Sequence, residues 1–250
     1  MNLVACVKRV PTTDSEPAVG ADGISIDPAS LKYEASFYDP VALEQAVQIK
    51  EASGGEVTAL SMGPGDTEKE LRECLAKGAD KAVLLKDDGW AARDALSTAR
   101  ALSAKATELG ADLILCGRIA TDRDNASVGP MMAALLGWAC VSDVIELSVE
   151  GGKGLAKREG DEGIESYEFS LPAVITCQKG LVEPRYAGLK GIMAAKKKPI
   201  DTTDAPAAEN QAKVVSLSPP PARPEGRIVG EGPGAVPALI EALRNEAKAL

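Results

Sequence analysis

The residues best suited by type to do chemistry stand in "GRIATDRDNASVGP", residues 117–130, where Arg118, Asp122, Arg123, Asp124, Asn125 and Ser127 share a run of short polar side chains. Two carboxylates one residue apart are raw material for acid–base or divalent-cation chemistry. Alternate loop positions need not converge, however, and no third ligand accompanies them, so no catalysis is assigned to the pair. The loop suits an anion better. Backbone N–H groups over Ala126 to Gly129, the Ser127 hydroxyl and the start of a following helix all donate, and Arg118 adds charge. Asp122, Asp124 and Asn125 also serve simply as turn and cap residues, and local chemistry alone leans to that plainer use.

A second group lies in "LVEPRYAGLKGIMAAKKKPI", residues 181–200. It gathers Arg185, Lys190, Lys196, Lys197 and Lys198 with no acid between Arg185 and Lys198. Three consecutive lysines are most simply a solvated patch. Upstream, though, Pro184, Gly188 and Gly191 surround Tyr186 and Leu189, the composition of a shaped, exposed loop with an apolar tip, as a partner anchor requires. The flanking cations would steer an acidic partner.

Much other chemistry is excluded. The chain has no histidine, which removes Ser/His/Asp triads, histidine bases, histidine-ligated metals and histidine pH switches. Cys6, Cys74, Cys116, Cys140 and Cys177 are odd in number, never at CxxC spacing and set in apolar runs, so they read as buried reduced thiols. Neither G-x-x-x-x-G-K-[ST] nor a G-x-G-x-x-G opening the first helix is present. With 37 acids against 28 bases and a net charge of -9, the chain is not expected to bind nucleic acid. No leader and no long apolar span is visible, so no membrane insertion and a cytoplasmic location are expected.

The elements that must position these groups follow from hydrophobic spacing. "LVACVKRV" reads as a buried strand, "PVALEQAVQIKEASGG" as a helix, "EVTALSMG" as a strand, and "DTEKELRECLAKG" as a helix capped by Asp66 or Thr67 and stopped at Gly78. "KAVLLK" (strand), "ARDALSTARALSAKATELG" (helix) and "DLILCG" (strand) follow. This alternation implies an α/β fold, a mostly parallel doubly wound sheet. The 117–130 loop then falls at a strand's carboxyl end, where open sheets bind ligands. A helix is expected to begin just after Pro130, a hairpin to turn at Gly151-Gly152, and further short strands to extend or flank the sheet. Residues 1–200 are expected to form the α/β domain. From Asp201 a Pro- and Ala-rich arm, with a short strand at "KVVSL", leads to an amphipathic helix in "AVPALIEALRNEAKAL", residues 201–250 together making a C-terminal arm and helix.

Several stretches also carry a family resemblance: "VKRVP", "ALEQAVQIKE", "LSMGP", "LAKGAD", "DRDNASVGPMMAALLGW", "KREGDEGIESYEFSLPAVIT", "VEPRYAGLKGIMAAKKKPI" and "LRNEAKAL". Over nearly its whole length the chain resembles the β subunit of electron transfer flavoproteins, the family that includes the FixA-type proteins. The resemblance implies a Rossmann-like, adenine-nucleotide-binding domain in an obligate heterodimer with an α subunit, the redox FAD held mainly on α, and residues 201–250 packing on that partner. It implies AMP as a structural nucleotide in the β subunit, or, in electron-bifurcating relatives that oxidise NADH, a second FAD in the same site. It implies flavin dehydrogenases such as acyl-CoA dehydrogenases as donors, and a quinone oxidoreductase or other acceptor toward the respiratory chain.

Carried across, the nucleotide site falls on Cys6, Ser36, Phe37, Tyr38, Asp39, Met62, Gly117, Arg118, Ile119, Ala120, Thr121, Asp122, Arg123, Asp124, Asn125, Ala126, Ser127 and Val128. The partner-binding segment falls on Pro184, Arg185, Tyr186, Leu189, Lys190, Ile192 and Met193, with Leu189 as anchor. The tokens "CGR", "VGP" and "LKGIM" lean toward the bifurcating branch, "MMAALLGW" and "LRNEAKAL" toward ordinary carriers. The ordinary carrier with AMP is the favoured expectation, with no catalytic and no metal-ligating residue.

Overall fold

Continuous apolar runs need cover on both faces, and the computed structural model, which describes residues 1–223 and 225–250, supplies it. The chain begins with β1 (Asn2–Cys6) and then makes a small antiparallel pair, β2 (Arg9–Pro11) with β3 (Tyr33–Ala35). It continues through α1 (Asp39–Ser53), β4 (Glu56–Gly63), α2 (Glu68–Ala76), β5 (Lys81–Lys86), α3 (Ala95–Glu108), β6 (Leu113–Gly117) and α4 (Val128–Leu136). The remaining elements are β7 (Ala139–Glu150), β8 (Lys153–Gly160), β9 (Gly163–Ser170), β10 (Ala173–Cys177), α5 (Leu189–Ala195), β11 (Asp201–Asp204) and α6 (Val236–Asn245).

The main sheet has nine strands in the order β11-β5-β4-β1-β6-β10-β7-β8-β9. Pairing is parallel from β11 through β7, and antiparallel only where β8 and β9 continue the edge as a meander. Alternate strand residues point to opposite faces. Leu3 and Ala5 pack with Val41, Ala46, Leu71 and Leu75 of α1 and α2, while Val4 and Cys6 pack with Ala99, Leu102 and Met132 of α3 and α4. This is a doubly wound α/β domain. From β1 the chain steps outward to β4 and β5, then returns to β6 on β1's other side, so the switch point lies between Cys6 and Gly117.

Several elements differ from the sequence reading. The helix expected after Pro130 begins at Val128, because proline is tolerated in the first turn, where its missing N–H would have had no intrahelical acceptor. The strand expected at "KVVSL" does not form. Residues 213–217 run without strand pairing, Val215 is 88% exposed, and the free edge of β5 is taken instead by Asp201–Asp204. The sheet therefore extends past residue 200, and the compact unit runs from Met1 to Leu217, with Ser218–Leu250 forming a second unit. Four of the five cysteines are buried, but Cys140, at the exposed start of β7, is not. The hairpin at Gly151-Gly152 is present, both glycines holding positive φ (59° and 79°) as a tight two-residue turn demands.

In the second unit α6 is amphipathic, with Val236, Leu239 and Ile240 all exposed. Among the described residues, no helix is long and apolar enough to cross a membrane.

Candidate functional site

A cleft of about 150 Å³ opens at the switch point, beyond the carboxyl ends of β1 and β6. Its floor is apolar, made by Cys6, Met62, Leu102 and Cys116. One wall is the loop from Gly117 through Gly129; the facing wall is Trp90, Arg93, Asp94, Ala95 and Thr98, where the chain turns into α3. Lys8 and Asp39 complete it.

The loop's start is fixed by the segment before α1. Ser36, fully buried, donates through Oγ to the Ile119 carbonyl (3.4 Å) and accepts from the Thr121 N–H (3.3 Å). Asp39 Oδ2 accepts the Lys8 N–H at 2.7 Å, and the nearby Gly117 N–H also favours the charged carboxylate. Burial pushes the Asp39 carboxyl up to about 7, against the pull of those N–H groups and of the nearby Lys8 charge. A Cβ on Gly117 would lie 2.3 Å from Asp39 Oδ1 and 2.9 Å from Tyr38 Cβ, so only glycine lets the loop pass this close.

Downstream the loop turns toward an anion-binding form. Asp124 and Ala126 both hold φ of 49°, left-handed backbone that side-chain-bearing residues seldom adopt. Ser127, which follows, is near right-handed helical values and leads directly into α4. Such alternation aims successive N–H groups into one concavity, and the first N–H groups of α4 have no intrahelical acceptor. The Ser127 hydroxyl is turned to the Asn125 carbonyl (2.5 Å) rather than capping the helix.

Charge in the site is largely spoken for. Lys8 Nζ holds Asp122 at 2.6 and 2.7 Å, Arg118 Nε holds Asp143 Oδ1 at 2.9 Å, and buried Arg93 holds Asp87 at 2.5 Å. Arg123 is different: it donates to the carbonyls of Arg93 and Ala91 and, among the described residues, meets no carboxylate. Its positive charge remains available to an anion. No group of three or more Cys, Asp or Glu suited to a metal ion occurs among the described residues.

Most residues assigned to the nucleotide site line this cleft. Five do not: Ser36 and Tyr38 brace the loop, Thr121 and Asp124 are exposed outside the cleft lining, and Phe37 is 54% exposed, with the Tyr38 ring at 5.2 Å and Lys179 Nζ at 5.7 Å.

The basic segment is not a loop throughout. Leu189 opens α5, whose Gly191 packs so closely on α2 that a Cβ there would lie 2.4 Å from the Ala76 carbonyl oxygen. Arg72 Nη1 donates to the carbonyls of Ala195 (2.7 Å) and Lys198 (2.5 Å), fixing the helix's far end. Tyr186 (95%), Leu189 (78%), Ile192 and Met193 stay exposed, as does Lys190, while Pro184 is half-buried.

Comparison with known proteins decides the lineage. The electron transfer flavoprotein domain matches residues 25–208. The electron transfer flavoprotein subunit beta of Bacillus subtilis is 35% identical over 259 residues, covering 100% of both chains. That of Bradyrhizobium diazoefficiens is 35% identical over 253 residues, again 100% of both, and that of Mycobacterium tuberculosis 35% identical over 250 residues, 93% of this chain and 94% of the other. The chain belongs to the electron transfer flavoprotein β-subunit family. The family's domain match contains the loop wall, Asp39, the α3 wall and the whole of α5, whereas Cys6 and Lys8 precede it and α6 follows it.

Sequence reasoning passed over Lys8, Trp90, Arg93, Asp94 and Thr98. A signal was present: β5 ends beside β4 in the same parallel set, so the turn after it must also face the carboxyl-end crevice. Asp94 then caps α3 by accepting the Ser97 N–H at 2.7 Å, as the "RDALS" pattern suggests. The same carboxylate accepts the N–H groups of Gln211 (2.5 Å) and Ala212 (3.0 Å), a link nothing local predicts.

Proposed function

We propose that this family member is the β subunit of a heterodimeric electron transfer flavoprotein that carries electrons from flavin dehydrogenases, such as acyl-CoA dehydrogenases, toward the respiratory chain, and that its cleft binds AMP. The observation that carries the reading is the cleft at the switch point, where an apolar floor meets left-handed loop residues and a helix start. The residues fit a mononucleotide: Cys6, Met62, Leu102 and Cys116 offer a surface for an adenine ring. The N–H groups from Ser127 to Gly129, with the unpaired charge of Arg123, suit its phosphate. The redox chemistry belongs to FAD held with an α subunit. This chain binds, orients and presents a docking surface, and no side chain is assigned a catalytic role. The exposed apolar residues of α6 support packing against that α partner, and the exposed Leu189 supports docking of the dehydrogenase.

The test is nucleotide content. The chain is co-produced with its α partner, the purified heterodimer is denatured, and FAD and AMP are quantified by chromatography. One FAD and one AMP per heterodimer is the expected result. Two FAD and no AMP would replace the carrier reading with an electron-bifurcating one, in which a second FAD occupies the cleft and NADH is the donor.

A further inference from the structure

Arg185 sits just upstream of the exposed residues of α5, yet its guanidinium is turned inward. Nε and Nη2 donate to Glu44 at 2.7 and 3.0 Å, and Nη1 and Nη2 donate to Glu51 at 2.7 and 2.9 Å, while the Arg185 N–H also reaches Glu44 at 3.3 Å. Both acids are on α1, seven residues and so about two turns apart, which places them on one face. Glu44 is buried and held further by Gln48, whose amide donates to it at 2.8 Å.

This arrangement is more than a surface ion pair. Four guanidinium N–H···O contacts on two carboxylates, one of them buried, with the backbone N–H as a fifth, leave the guanidinium a single orientation, and its planar fork is what lets it span both. At its other end α5 is fixed to α2 by Gly191 and Arg72. The stretch between Arg185 and Gly191, carrying Tyr186 and Leu189, is therefore held at both ends while its own apolar side chains remain in solvent.

We infer that the Arg185–Glu44–Glu51 clamp sets the direction in which Tyr186 and Leu189 project, which makes Arg185 a positioning residue for docking rather than a residue that touches the partner. The inference rests on the reading of Leu189 as the docking anchor. An apolar side chain that protrudes from a pre-ordered segment binds without first having to be ordered, so loosening the clamp weakens docking even though every apolar side chain is still present.

The experiment uses the complete heterodimer and an acyl-CoA dehydrogenase reduced by its own substrate, with the rate of electron transfer followed as dehydrogenase concentration is varied. Arg185→Met is expected to raise KM for the dehydrogenase about tenfold with kcat nearly unchanged. Arg185→Lys, a point charge without the fork, should fall between it and the wild type. The double variant Arg185→Met with Leu189→Ala should be no worse than Leu189→Ala alone, because Arg185 acts through what Leu189 does. A merely structural role would lower Tm but would leave KM of the folded protein and this non-additivity unmoved. Should Arg185→Met fail to fold, Glu51→Gln, which keeps the buried Glu44 contacts, is expected to raise KM about threefold with the same non-additivity. Additive effects, or an unchanged KM while Leu189→Ala raises it, overturn the clamp and leave the anchor standing. No effect of Leu189→Ala overturns the anchor reading and the clamp with it.

Discussion

Asp39 offers a prediction that the composition of the chain makes unusually clean. Its carboxyl is 6% exposed at the start of α1 and raised to about 7 by burial, whereas an unfolded aspartate titrates near 3.9. The folded state therefore holds a proton that the unfolded state has already released. The associated stability is fully present below the unfolded value and is lost as pH rises, at about 1.4 kcal/mol per pH unit, until it levels off above the folded value. Integrated from pH 5 to 8 the loss is about 2–3 kcal/mol, or about 5–10 °C in Tm for a chain of this length. Because the chain has no histidine, few of its other groups titrate in that window.

The perturbation is Asp39→Asn, and the assay is urea unfolding of nucleotide-stripped protein across pH 5 to 8, with both proteins in the same oligomeric form. Asparagine is never charged, so the wild type should lose about 2–3 kcal/mol relative to the variant over this range. Asparagine offers one acceptor oxygen in place of the carboxylate's two, and a Lys8 N–H left without its partner costs about 1–3 kcal/mol. That loss displaces the variant's curve without tilting it, so the decisive quantity is the difference in slope. Parallel curves, or a wild type that gains stability against the variant as pH rises, would refute the reasoning that burial outweighs the N–H groups and Lys8.

Two further predictions concern packing and exposure. Gly117→Ala should destabilise by about 1–3 kcal/mol and strip the co-purified nucleotide, because its Cβ would collide with both Asp39 and Tyr38; retained nucleotide at wild-type stability would contradict that. In the folded isolated chain, Ellman's reagent should modify Cys140 quickly, Cys6 and Cys116 more slowly through the cleft whose floor they form, and Cys74 and Cys177 only on unfolding. Burial raises the thiols of Cys74 and Cys177, so rapid modification of either would show the core to be open.

The doubly wound core was legible because its strands are continuous apolar runs and its helices end at glycine, both local signals. The cleft was legible in part for the same reason: a polar loop following "LILCG" had to emerge at a strand's carboxyl end. What escaped was set by pairing at a distance. Nothing in "DTTD" marks it as a strand, and it becomes one because β5 presents an open edge to it. "KVVSL", with better strand residues, pairs with no strand, although β11 and β9 leave the sheet's edges open. Cys140 looks buried in "GWACV", but the first residues of β7 are exposed.

Arg185 shows the limit of reading charge along the chain. In the sequence it belongs with Lys190 and the three lysines as one basic segment, yet two of its neighbours in space, Glu44 and Glu51, lie more than 130 residues upstream. The carboxyl of Glu44 is pulled up by burial but held below its ordinary value overall by the bonds from Arg185 and Gln48, so the clamp persists until acid protonates it. Lys190, Lys196 and Lys197 stay exposed, Lys198 is half-buried with its ammonium on the Ala79 carbonyl (2.7 Å), and Arg185 is paired with α1. The same helix thus presents Asp39 to the cleft at its first residue and grips the segment carrying Leu189 from its later turns. A change that moves α1 should disturb both sites, whereas a change confined to the clamp should disturb docking alone.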